Sequence, residues 1–188
     1  CKPIYINKDN GIIVAIRLTE RTDMSTNKGL EYALSIVQRY KHLPIWLWSS
    51  IPCTGGSSIQ ALNKHRPKHK HNIEAHNRIF KRLHQNLMVL AREVLLHSVE
   101  GHFTFEWPKS NTWWRRPEIR KMLTVFDMQS VTFDGCTLGV VSENDKPMLK
   151  PWRLASTSRP LLAMFTPFQC PNKSHGGDSG CLPHVHDR

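Results

Sequence analysis

The apolar positions of this chain fall into blocks whose period switches between strand and helix. Gly11-Ile12-Ile13-Val14-Ala15-Ile16 is a short apolar run opened by a glycine, the pattern of a buried strand. Thr19 to Thr26 is polar and reads as a strand-to-helix loop. Ser25 or Thr26 is placed to cap a helix over about 28–40, with Leu30, Ala33, Leu34 and Val37 on one face. Leu43 to Ser50 reads as the next strand, and Asn63 to Asn72 as a basic, His-rich loop. The clearest helical period runs over about 73–99, where Ile79, Phe80, Leu83, Leu87, Leu90, Ala91, Val94 and Leu95 recur at three- and four-residue steps. His102 to Phe105, Ser130 to Phe133 and Trp152 to Ser156 read as further strands. Pro117 to Phe126 and Arg159 to Phe168 read as short helices. Strands alternating with helices predict an α/β fold. We expect a Rossmann-like parallel sheet in a single domain over residues 1–169, then an irregular Cys/His-rich tail over 170–188.

Composition narrows the function. A chain of 188 residues is long enough to bury a core. No apolar run approaches the roughly 20 residues of a membrane span, and no signal-peptide pattern opens the chain. A start at Cys1 predicts a processed product or part of a longer polypeptide or complex. Lys and Arg number 26 against 15 Asp and Glu, a net charge of +11. That excess predicts a polyanionic partner, most often nucleic acid, against the plainer reading of a basic protein bound to acidic protein or lipid surfaces. Five widely spaced cysteines do not read as a disulfide framework. They predict an intracellular, reducing compartment, with the nucleus or nucleoid fitting the charge.

Three groups of residues carry candidate chemistry. Open parallel sheets bind ligands beyond the carboxyl ends of their strands, and Cys53, Glu106 and Asp134 fall there. In Ile51-Pro52-Cys53-Thr54-Gly55-Gly56-Ser57 a strand delivers a thiol into a flexible loop, the placement of a nucleophile. The basic segment after it is expected to lower the thiol pKa. Glu106, between Phe105 and Trp107, is poorly solvated, which raises its proton affinity and suits a general acid. The second group is cationic: Lys64, Arg66, Lys68, Lys70, Arg78, Lys81, Arg82, Arg115 and Arg116, with Asn63 at its start. It predicts a phosphate-binding face, against the plainer reading of a solvated loop. Trp113 and Trp114 are expected to be buried rather than to stack on bases. The third group is Cys170, His175, Cys181, His184 and His186, short-spaced thiol and imidazole groups that suit tetrahedral zinc.

Pro52-Cys53 with Ser57 and Asn63 downstream resembles the catalytic loop of C5-cytosine DNA methyltransferases. Phe105-Glu106-Trp107-Pro108 resembles that family's Glu-Asn-Val motif one strand later. Val131 to Gly139 and Lys150-Pro151-Trp152-Arg153-Leu154 resemble the later segment whose Gly and Arg residues line the same pocket. The agreement in order and spacing covers about 12–157. These segments are also similar to a methyltransferase-like domain of mobile-element open reading frames. The resemblance implies an S-adenosylmethionine-dependent DNA (cytosine-5) methyltransferase. In it Cys53 attacks C6 of a flipped base, Glu106 serves N3, and Arg153 and Ser57 belong to the pocket. The chain departs from the pattern where Trp107 follows Glu106 and Thr54 follows Cys53. The family's Gly-rich cofactor turn has no counterpart before Ile12, so it precedes Cys1 in a longer chain or is absent. The alternatives are a non-catalytic nucleic-acid-binding or assembly subunit on the same scaffold, and a thiol hydrolase pairing Cys53 with a histidine such as His102.

Overall fold

The computed structural model describes residues 4–8, 11–19, 22–57 and 67–171. The chain divides into two compact units, Cys1–Ile45 with Asn77–Gly101, and Trp46–His76 with His102–Arg188.

The first unit opens with β1 (Ile4–Lys8) and β2 (Gly11–Ala15), a two-stranded antiparallel ribbon in which Lys8 faces Gly11 and Ile4 faces Ala15. Two residues separate the strands, and so short a link permits only antiparallel pairing. The run at 11–16 is therefore not a buried strand of a parallel sheet, and Ile13 and Val14 are exposed. Helix α1 (Asn27–Tyr40) is capped by Thr26, whose Oγ1 accepts from the Gly29 amide at 3.0 Å. Helix α2 (Pro67–His97) contributes residues 77–97 to this unit. Its Asn86 Nδ2 donates to the carbonyls of Met24 (2.8 Å) and Thr26 (3.3 Å), and Gln38 bonds Glu93. Ala33 and Val37 of α1 and Phe80, Leu87, Leu90, Ala91 and Val94 of α2 are buried, as their spacing predicts. Ile79 instead faces solvent. The helix also starts earlier than its apolar period, at Pro67, because proline suits the first helical position whatever the polarity that follows.

The second unit holds a four-stranded sheet of β3 (Ile45–Ser49), β4 (Gly101–Pro108), β5 (Gln129–Asp134) and β6 (Pro151–Ser156), in the order β3-β4-β6-β5. The sheet is mixed rather than wholly parallel. β6 runs antiparallel to both neighbours, with Thr104 opposite Ser156 on one side and Gln129 opposite Ser156 on the other. The parallel pair is β3 and β4, joined through α2, which is long enough for a crossover. Between β5 and β6 there is no such helix. Residues 135–150 hold a 3-10 turn (Gly135–Leu138) and a bridge of Val141 with Pro147, so the chain turns back on itself. Helix α3 (Pro117–Val125) links β4 to β5, and β6 inserts between them, a split β-α-β arrangement. Helix α4 (Arg159–Phe165) follows β6.

Opposed residues in an antiparallel pair share a face, and faces alternate along each strand. One face carries Thr104, Glu106, Leu154 and Ser156, and the Thr104 and Ser156 hydroxyls lie 2.9 Å apart. There Leu154 and Phe133 pack with Leu162 of α4. The other face carries Phe105, Trp107, Arg153 and Ala155. Phe105, Trp107 and Trp114 meet edge to face at ring-centroid distances of 4.6 to 5.5 Å. Phe105 is fully buried. Phe105→Ala is expected to lower the unfolding free energy by about 3–5 kcal/mol, read as a lower midpoint in urea denaturation.

Candidate functional site

The site begins where β3 ends. The chain leaves Ser49, passes Ile51 and Pro52, and enters a single 3-10 turn at Thr54–Gly56. A second segment, Asn111 to Trp113 beyond the end of β4, grips this loop. Asn111 Nδ2 donates to the Cys53 carbonyl at 2.8 Å, and Thr112 Oγ1 donates to the Gly56 carbonyl at 3.0 Å. Trp107 Nε1 donates to the Ile51 carbonyl at 2.6 Å. Asn111 Oδ1 in turn accepts from the Trp113 amide at 2.9 Å. The glycines have a packing reason. A Cβ on Gly55 would stand 2.2 Å from the Trp113 ring, and one on Gly56 would stand 2.2 Å from Asn111 Oδ1. Trp113 and Trp114 are buried, as the sequence predicts.

The Cys53 thiol is half-buried, and burial pushes its pKa up. Its own backbone, Asn111 and the Lys150 ammonium favour the thiolate, in that order, but do not overcome burial. The expected lowered thiol pKa is thus corrected. Desolvation is the largest influence, and the basic segment at 58–66 lies outside the described residues. Lys150 sits at the start of the β6 approach with a left-handed backbone, φ 21°, and its ammonium is 5.1 Å from the Trp152 ring centroid.

Glu106 lies within β4 rather than at its exit. Burial raises its carboxyl pKa, as its aromatic setting predicts, while bonds from the Ser50 and Trp48 side chains oppose the rise. Glu106 and Arg153 do not meet. Glu106 pairs with Leu154 and Trp107 with Arg153, so the two side chains leave opposite faces of the sheet. Arg153 is held where it is: its Nε and Nη2 donate to Ser130 Oγ at 3.2 and 3.0 Å, and its Cζ lies 4.6 Å from the Trp114 ring centroid. Arg116 stacks likewise on Trp113, at 4.3 Å. Ser57 is half-buried just after the turn, its amide on the Thr54 carbonyl at 3.2 Å.

Of the phosphate-binding candidates, Arg78, Lys81 and Arg82 are exposed on α2 in the first unit, and Arg115 is exposed in the second. Asn63, Lys64 and Arg66 lie outside the described residues, and so do the side chains of Lys68 and Lys70. Among the zinc candidates Cys170 is buried, its amide on Asp134 Oδ2 at 2.8 Å. His175, Cys181, His184 and His186 lie outside the described residues. Among the described residues no group of three or more His, Cys, Asp or Glu is arranged for a metal, and no helix is long and apolar enough to cross a membrane.

Sequence reading missed Asn111, whose signal was an Asn one residue before a short helical turn. It also missed Trp46 and Trp48, which lie in the apolar run of the strand at 43–50 and are each 44% exposed. Comparison with known proteins finds no matching family model, no matching curated protein and no matching solved structure. The methyltransferase resemblance therefore rests on the sequence motifs.

Two titrations check these environments. Alkylation of Cys53 by iodoacetamide, followed by mass spectrometry, is expected to rise with pH at a midpoint above that of a free cysteine peptide. Lys150→Gln is expected to move that midpoint further up. The Glu106 carboxyl binds its proton more tightly folded than unfolded. Its ionisation therefore costs stability as pH rises from the ordinary glutamate value, about 4.3, through the raised folded value. Glu106→Gln is expected to stabilise the protein at pH 7 relative to wild type and to be neutral below that window, as read by thermal melts across pH.

Proposed function

We propose that this chain is a nucleic-acid-binding protein, with DNA as its ligand, and that Arg78, Lys81 and Arg82 of α2 form its phosphate-binding face. The exposure of these three cations at three- and four-residue steps carries the reading. Like charges so spaced cost a helix roughly 0.2–0.5 kcal/mol per pair. A phosphate backbone reverses that cost and gains counterion release. The net charge of +11 acts in the same direction and speeds encounter with a polyanion. Alanine at all three positions is expected to weaken binding to a DNA duplex. It should also reduce the slope of log affinity against log salt by about 0.9 for each phosphate that is no longer neutralised. Fluorescence polarisation over a salt series reads both. An unchanged slope with unchanged affinity would overturn this assignment of the face.

A second reading keeps the chemistry of cytosine-5 methyltransferases, and the raised Glu106 carboxyl favours it, because burial that increases its proton affinity suits it to serve N3 of a cytosine. S-adenosylmethionine does not fit the segment after β2. That segment carries no glycine between Gly11 and Gly29, and Gly29 lies inside α1, where a Cβ would meet the Asp23 carbonyl. The thiol half-reaction has its own readout. Once the Cys53 thiol has lost its proton to solvent, addition of the thiolate to C6 forms a C–S bond and shifts electron density to C5, N3 taking the proton of Glu106. C5 then accepts a solvent proton, and elimination removes either C5 hydrogen, breaks the C6–S bond to release the thiolate and returns the N3 proton to Glu106, so the C5 hydrogen exchanges with water. Exchange of the label from a 5-tritiated cytosine oligonucleotide by wild type and not by Cys53→Ser supports this reading, and none with wild type removes it.

A further inference from the structure

We infer that the face of β3 and β4 bearing Trp46, Trp48 and Glu106 binds single-stranded nucleic acid by stacking unpaired bases on the two indoles. The inference rests on the nucleic-acid reading above and adds to it a surface and a strand state.

Trp46 and Trp48 stand two residues apart on a strand at the end of the sheet order, so they share a face. Each is 44% exposed. Isolated exposed apolar residues are ordinary, but two tryptophans side by side on one sheet face are not. Their indole N–H groups already have partners within the fold. Trp46 Nε1 donates to Thr104 Oγ1 at 2.8 Å, and the Trp48 side chain bonds the Glu106 carboxyl. Both rings are thereby tied to β4, and each keeps part of its surface exposed. The His102 ring packs against Trp46 at a centroid distance of 4.8 Å, its plane tilted by 44°.

The spacing selects the strand state. Residues two apart on a strand are about 7 Å apart, roughly twice the 3.4 Å rise of stacked bases in a duplex. Rings so spaced suit bases parted from one another, as in an extended single strand, and not a continuous duplex stack. Charge selects the class of partner. A second copy of the chain would bring another net charge of +11, whereas a polyanion complements the charge of the chain as a whole. Stacking on aromatic rings tolerates any base, so the platform serves sequence-independent capture. Glu106, with its carboxyl beside Trp48, adds a hydrogen-bonding group at the edge of a base seated there.

The test uses the full chain with fluorescein-labelled dT12 and a 12-base-pair duplex, read by fluorescence polarisation. Trp46→Ala and Trp48→Ala are each expected to weaken dT12 binding about tenfold, with little change for the duplex and no change in salt slope, and Trp48→Phe is expected to retain most of the affinity. Wild-type dT12 affinity in both alanine variants, with loss on removing Arg78, Lys81 and Arg82, overturns the stacking surface and leaves the basic face standing. No binding of either probe by wild type overturns both. A concentration-dependent dimer that Trp48→Ala abolishes in sedimentation assigns the face to a second copy and overturns the inference. Should the alanine variants fail to fold, wild type photocrosslinked to a 5-bromouridine oligonucleotide decides the matter. Adducts on the peptide holding Trp46 and Trp48 support the platform, and adducts elsewhere only overturn it.

Discussion

The grip of Asn111, Thr112 and Trp113 on the loop after β3 is the constraint from which the geometry of the sheet edge follows. One carboxamide takes the Cys53 carbonyl and returns its oxygen to the Trp113 amide, and that tryptophan lies against Gly55 and Gly56. Hydrogen bonds of this kind contribute about 1 kcal/mol each when made, and leaving a buried carbonyl without its donor costs more than that. The two glycines are the sequence's side of the same fit, since any side chain there would collide with Trp113 or Asn111. The edge is therefore a packed structure, and the thiol it carries is desolvated by its neighbours rather than displayed to solvent.

Desolvation then governs the chemistry of both acidic groups. Cys53 and Glu106 each sit half out of water, and in each case burial outweighs the hydrogen bonds that favour the charged form. For a carboxyl offered to a base edge, neutrality is useful. For a nucleophilic thiol it is not, because only the thiolate attacks. Lys150 is the cation that acts on the thiol, and it reaches that position through a left-handed backbone held by the Gly135 amide, which bonds the carbonyls of Leu149 and Lys150 at 3.0 and 3.1 Å. Arg153, by contrast, is spent on Trp114 and Ser130 across the sheet from Glu106.

Much of this was legible in the chain, and the misses have physical causes. The periods at 28–40 and 73–99 marked the faces of α1 and α2, and capping chemistry narrowed the cap to Ser25 or Thr26, of which Thr26 serves, because amphipathic period and capping chemistry are local. The direction of β6 was not read from its own residues, since an apolar run has no orientation. The clue lay in what precedes it: residues 135–150 lack a helix that could carry the chain back for parallel pairing. The isolation of β2 from the main sheet escaped for a similar reason, as β1 has no strong apolar pattern to announce its partner. Glu106 was recognised as poorly solvated from its aromatic flanks, yet its separation from Arg153 depended on pairing register, which decides faces one residue at a time. The exposure of Trp46 and Trp48 was not legible because periodicity does not say whether a sheet face is covered.

Basicity in this chain is consequently of two kinds. Arg116, Arg153 and Lys150 lie against Trp113, Trp114 and Trp152, where the cation and the ring quadrupole satisfy each other inside the fold. Burial eases the protons of both arginines, a sign that these groups belong partly to the interior. Arg78, Lys81 and Arg82 have no such aromatic seat among the described residues and stand exposed on one helix. Screening by salt weakens interactions of exposed charges far more than those of buried ones. A net charge of +11 thus overstates the surface available to a polyanion. Arg116, Arg153 and Lys150 are engaged by rings within the fold, whereas Arg78, Lys81 and Arg82 are exposed on α2.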